Sequence, residues 1–74
     1  MEFSPELLRH ARALAGLTAA DLAERAGLHR VSVSTFERGL KPADETWLRL
    51  QKALLAALDE STREIVKVRR RLAA

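Results

Sequence analysis

The sequence predicts an all-α domain of five helices, and three observations carry that prediction. Apolar residues recur at three- and four-residue steps along nearly the whole chain. The three glycines and two prolines stand where one periodic segment gives way to the next. The apolar bulk is mostly alanine and leucine, with aromatics at only 4%, a mixture suited to helices packed closely through small side chains. A chain of 74 residues has enough apolar surface for one core and too little for two, so the helices are expected to form one compact unit.

The first element opens at Phe3-Ser4-Pro5-Glu6, where Ser4 is placed to cap, Pro5 fits the first helical position and Phe3 can staple onto Leu8. Leu7, Leu8, Ala11, Leu14 and Ala15 keep helical spacing up to Gly16, which predicts a helix over about 5–15. Leu17-Thr18 repeats the same grammar. Thr18 caps, Asp21 returns as the acid three residues on, and Gly27 ends a second helix over about 19–26. A third follows from about Arg30 to Arg38, more weakly signalled because His29 holds the capping position, and closed by Gly39.

Pro42 and Asp44 open a fourth helix with Trp47, Leu50, Leu54 and Leu58 on one stripe. No glycine or proline follows Pro42, and the stripe runs on through Ser61, Ile65, Val68 and Leu72, which allows one helix to the C-terminus. Against this, Asp59-Glu60-Ser61-Thr62 groups poor helix formers and Ser61 with Glu64 spells a capping box. The reading adopted is a break near residue 60 and a fifth helix. The expected organisation is a unit over 1–58, its functional core at 18–38, followed by a C-terminal helix over 59–74.

Composition excludes several classes. Without cysteine there is no disulfide, no thiolate chemistry and no sulfur-ligated zinc. Glu2 and Glu6 do not suit a signal peptide, and no apolar run approaches membrane-spanning length, which places the protein in the cytoplasm with no membrane partner. His10 and His29 are isolated, no acid pair has a matching nucleophile, and no glycine loop is built for phosphate, so neither an enzyme nor a cofactor or metal is expected. The net charge of +3 does not by itself point to a nucleic acid, since residues 1–58 hold eight Lys/Arg against seven Asp/Glu. The distribution is more telling.

Projected at about 100° per residue, the third helix gathers Arg30, Val31, Ser34, Thr35 and Arg38 on one arc, with Val33 and Phe36 opposite. No acid stands on the outward arc, and two arginines flank small side chains, a surface able to enter the major groove of double-stranded DNA. On this reading Arg30 gives a bidentate contact to guanine, Val31 and Thr35 meet thymine methyls, Ser34 bonds to base edges, and Arg38 reaches a phosphate. A solvated polar face would look similar. The turn Ala26-Gly27-Leu28-His29 changes the balance, because it fixes the helix on a rigid partner as a helix-turn-helix over 18–38.

Together, Arg12, Gly16-Leu17-Thr18, Asp21-Leu22-Ala23, Ala26-Gly27-Leu28, Val33, Phe36-Glu37-Arg38-Gly39, Pro42 and Ala53-Leu54 resemble the lambda-repressor-like (Cro/CI, XRE) helix-turn-helix family, over about Leu8 to Leu58. The resemblance implies a sequence-specific transcriptional regulator, most often a repressor, docked as such motifs dock. It implies backbone contacts from Thr18, His29, Arg38 and Lys41, and a structural ion pair between Arg12 and Glu37. Three positions depart from the family pattern: Ala19 replaces a phosphate-holding glutamine, His29 a small hydroxyl residue, and Leu55 a helix-ending glycine. His29 is then either a phosphate contact or a surface histidine.

Such regulators usually act as homodimers on palindromic operators, and the strip Leu58, Ile65, Val68 and Leu72 is the candidate dimerisation surface. Intramolecular packing against Leu7 and Trp47 is the other use of that strip. Arg69-Arg70-Arg71 is either solvated, with the helix dipole favouring it, or in contact with DNA backbone. The rival function is an antitoxin-like protein-interaction module on the same fold, with a protein partner.

Overall fold

The computed structural model describes residues 2–73, so residues 1 and 74, the outermost of the two expected segments, lie outside it. Four helices are present: α1 (Pro5–Leu14), α2 (Ala19–Ala26), α3 (Arg30–Glu37) and α4 (Asp44–Ala73). The fold is all-α, with no strand among the described residues. The first three helices match the sequence reading to within a residue at each end, and their caps explain why.

Ser4 is extended and its hydroxyl accepts from the Leu7 N–H at 3.2 Å, with Pro5 in the first turn. At α2 the Thr18 hydroxyl accepts from the Asp21 N–H and the Asp21 carboxylate accepts from the Thr18 N–H, both at 3.0 Å, a complete capping box. Phe3 places its ring edge-on to Trp47, with centroids 5.2 Å apart and planes at 87°, and so ties the chain entry to α4.

The core lies where the four helices converge. Leu8, Leu22, Val33 and Leu50, one from each helix, are fully buried. Phe36, Trp47 and Leu54 close over them. α4 thus acts as the floor on which α2 and the rest of the bundle sit, and Arg25 at the end of α2 reaches Glu60 of α4 at 3.1 Å.

The expected break near residue 60 does not occur, and the fifth helix is absent. α4 runs for 30 residues, about 45 Å at the usual rise, and sets the 47 Å long axis of a molecule only 21 × 19 Å across. The residues read as breakers are accommodated within the helix. Thr62 turns its hydroxyl back to the Leu58 carbonyl at 2.9 Å, and Asp59 pairs with Arg63 one turn on at 3.1 Å. The propensity deficit of Asp, Ser and Thr is only about 0.5 kcal/mol each, and with no glycine or proline to fix another backbone geometry the helix continues.

Ala57 is the last buried residue of α4, and every residue from 62 to 73 is exposed. The intramolecular alternative for the C-terminal strip is therefore met only at Leu58. That residue is half-buried in an apolar cleft of about 280 Å³ shared with Leu7, Leu14, Trp47 and Leu55, whereas Ile65, Val68 and Leu72 stay 59%, 50% and 82% exposed. No helix among the described residues is long and apolar enough to cross a membrane.

Candidate nucleic-acid interface

The turn between α2 and α3 is set by Gly27. Its φ of +70° is left-handed, and the Leu28 N–H donates back to the Ala23 carbonyl at 2.8 Å, which closes α2 and redirects the chain within two residues. His29 then caps α3 through its ring, Nδ1 accepting from the Val31 N–H at a long 3.4 Å. The cap that looked chemically poor in the sequence does form, from an exposed histidine.

α3 buries Val33, Phe36 and Glu37 and turns the opposite arc outward. Arg30, Val31 and Arg38 are exposed, while Ser34 and Thr35 are half-buried. The Thr35 hydroxyl donates to the Val31 carbonyl at 2.7 Å, so its proton is engaged inside the helix and its oxygen and methyl remain for contact.

Between this arc and the start of α2 lies a shallow depression of about 460 Å³, walled by Thr18, Ala19 and Ala20 on one side and by Arg30, Val31, Ser34 and Arg38 on the other. No carboxylate lines it. Ala20 was not singled out from the sequence. The run Thr18-Ala19-Ala20 is the signal that was available, since three small residues at a helix start leave the neighbouring face open.

Three expected contact residues lie apart. Thr35 is on the outward arc but does not wall the depression, and Lys41 borders a separate hollow with Glu2, Asp44 and Trp47. His29 sits at the tip of the turn and likewise stays outside the depression.

Among the described residues the cations divide into paired and unpaired, and those of this surface are unpaired, as are Lys41, Lys52, Arg69, Arg70 and Arg71. Arg9, Arg12, Arg25, Arg49, Arg63 and Lys67 all have a carboxylate within 4.0 Å. Among the described residues neither Arg30 nor Arg38 has one. Two unneutralised guanidinium groups therefore stand one at each end of an 8-residue helix, on an acid-free face. The capping box beside them leaves no carboxylate uncommitted. Asp21 accepts the Thr18 N–H, and that hydrogen bond holds its carboxyl below the usual carboxylate range.

One carboxylate that belongs to α3 is taken out of play. Glu37 is only 9% exposed and receives a bidentate grip from Arg12, Nε to Oε2 and Nη2 to Oε1, both at 2.8 Å. Arg12 also donates Nη1 to the Leu17 carbonyl at 3.0 Å, so one guanidinium joins α1, the entry to α2 and the end of α3. The hydrogen bonds that Arg12 donates to Glu37 raise the Arg12 pKa and keep it charged. Mechanically, the pair fixes the orientation of α3 on its support.

The sequence matches a family described as a helix-turn-helix domain over residues 6–64, most of the chain. The chain belongs to that helix-turn-helix family. The match agrees with the lambda-repressor-like resemblance carried by Gly16-Leu17-Thr18 and Phe36-Glu37-Arg38-Gly39. It spans α1 to α3 and the first two-thirds of α4. No curated protein and no solved structure matches the chain.

Proposed function

We propose that this helix-turn-helix protein is a sequence-specific transcriptional regulator of double-stranded DNA, acting as a repressor, that reads the major groove with α3. The observation that carries the reading is the pair of unneutralised arginines on the acid-free face of α3, on a helix clamped from behind by Arg12 and Glu37. In this reading Arg30 addresses guanine, Val31 and Thr35 meet thymine methyls, and Ser34 bonds to base edges. Thr18, His29, Arg38 and Lys41 hold the phosphate chain on either flank. The protein acts in the cytoplasm, without catalysis or cofactor.

One helix of 8 residues reads few bases, so specificity requires a second half-site. The reading therefore includes a homodimer on a palindromic operator.

Selection from a random double-stranded pool tests it. A two-fold symmetric consensus is expected. Arg30→Ala should relax preference at one base per half-site, costing about 1–3 kcal/mol there. Arg38→Ala should weaken all sequences alike and lower the salt dependence by about one counterion. If no sequence is enriched at moderate salt, the protein-interaction reading replaces this one.

A further inference from the structure

The apolar cleft between α1 and α4 and the uncovered distal part of α4 are two unpartnered surfaces that fit each other. The cleft, about 280 Å³, is lined by apolar side chains apart from His10 and Gln51, and Leu14 and Leu55 on its rim are 73% and 67% exposed. Its floor on α4 runs from Trp47 to Leu58, and the uncovered part of α4 runs over residues 62–73, each about 17 Å long. Ile65 and Leu72 follow Leu58 at seven-residue steps, so they stand on the helix face that lines the cleft. They cannot fill it within their own chain, because α4 is one unbroken helix and Leu72 lies about 21 Å beyond Leu58.

We infer that two copies pair with their α4 helices antiparallel, the distal part of each α4 lying in the α1–α4 cleft of the other. A two-fold axis at Glu60 lays residues 62–73 of one helix along 47–58 of the other, which sets Leu55 against Ile65 and Leu48 against Leu72. The α1 of each copy, whose Leu7 and Leu14 overhang the cleft, then covers in the other copy the continuation of the stripe that it covers in its own. Both clefts are filled at once and the assembly is closed. Only surfaces left open to solvent are used, and buried Leu50 and Ala57 keep their places against α1–α3.

The polar groups agree with this register. Gln51 donates its amide N–H to the Trp47 carbonyl at 3.4 Å, and His10 engages the Glu6 carbonyl through Nδ1 at 3.0 Å. A carbonyl only accepts, so Nδ1 carries the proton, and each of the two side chains has an acceptor left for the cleft. Arg69 of the other copy comes opposite Gln51, and among the described residues it has no carboxylate of its own. At the crossing Asp59 already pairs with Arg63 and Glu60 with Arg25, each at 3.1 Å, so the axis brings no bare carboxylates together. This pairing rests on the homodimeric reading above and supplies its surface.

Cysteine cross-linking of the full chain, without DNA, tests the geometry. Leu55→Cys and Ile65→Cys copies, mixed and mildly oxidised, should give a disulfide-linked dimer, as should Leu14→Cys mixed with Ile65→Cys. None of the three should cross-link alone, since the axis holds the two Ile65 positions, and likewise the two Leu55 positions, about 15 Å apart along the helices, beyond disulfide reach. In sedimentation equilibrium Leu14→Asp should weaken self-association on the order of ten-fold, as should Leu72→Asp. Both residues are exposed in the single copy, so the melting temperature in dilute solution should not move.

Ile65→Cys cross-linking to itself would mean that the distal parts of α4 pair side by side with the clefts empty, and would overturn the proposal. So would self-association that Leu14→Asp leaves unchanged, or a chain that stays monomeric at its highest soluble concentration. The two readings fail separately: a chain that enriches a symmetric DNA site but gives no cross-link from Ile65→Cys loses the cleft pairing alone, and one that cross-links but enriches no sequence loses the DNA reading alone.

Discussion

The two ends of α4 share a pattern and differ in fate. Over residues 44–58 the stripe of Trp47, Leu50 and Leu54 is sealed beneath α1–α3, with Leu50 at 0% exposure. Over residues 61–73 the same stripe continues as Ile65, Val68 and Leu72 and meets only solvent. Apolar periodicity therefore marks a face that is built to be covered. Whether the cover comes from the same chain depends on how far the other helices reach, and here α1–α3 stop short.

The sharpest way to break this comparison is one truncation repeated in both halves. Leu50→Ala removes a fully buried side chain where all four helices converge, and should destabilise the domain by about 3 kcal/mol. In a chain this small that corresponds to a fall in melting temperature of roughly 15 °C. A loss of less than about 1 kcal/mol in a thermal or denaturant melt would mean that the covered half is not the core.

Charged pairs offer a second comparison. Arg12–Glu37 lies in the covered region, with side chains 25% and 10% exposed and three hydrogen bonds from one guanidinium. Asp59–Arg63 lies on the uncovered helix, with side chains 60% and 75% exposed. Glu37→Ala strands a guanidinium that is mostly enclosed and should cost about 2 kcal/mol, less than a fully buried pair because Arg12 keeps some contact with water. It should also weaken DNA binding, since α3 loses the tie that orients it. Arg63→Ala should cost no more than about 0.3 kcal/mol. Equal effects in chemical denaturation would refute the distinction.

The same contrast explains what was readable in the sequence. The ends of α1, α2 and α3 were legible because each is fixed by local chemistry: Ser4 on Leu7, Thr18 on Asp21, and left-handed Gly27. The outward arc of α3 was legible because helical periodicity alone determines it. The continuity of α4 was not, since it depends on a small competition between the Ser61 capping signal and in-helix partners such as Thr62 on Leu58. Nor could spacing reveal that Lys41 borders a different hollow from Arg30, or that Ala20 walls the depression, because both depend on how elements sit together in three dimensions.

The smallest expected effect is the most informative about the uncovered half. Ile65→Ala removes nearly as much apolar surface as Leu50→Ala, from a residue 59% exposed and in a segment with no neighbour in the fold. Nothing is left as a cavity, and alanine is the better helix former by roughly 0.4 kcal/mol. In dilute solution the melting temperature should stay within about 2 °C of wild type, with any shift upward. At high concentration, and on a two-half-site duplex, the proposed homodimer predicts that the same substitution weakens association, because Ile65 lies on the candidate dimerisation strip. A residue silent in the monomer and costly in the pair is the behaviour that separates an interface stripe from a core stripe written in the same periodicity.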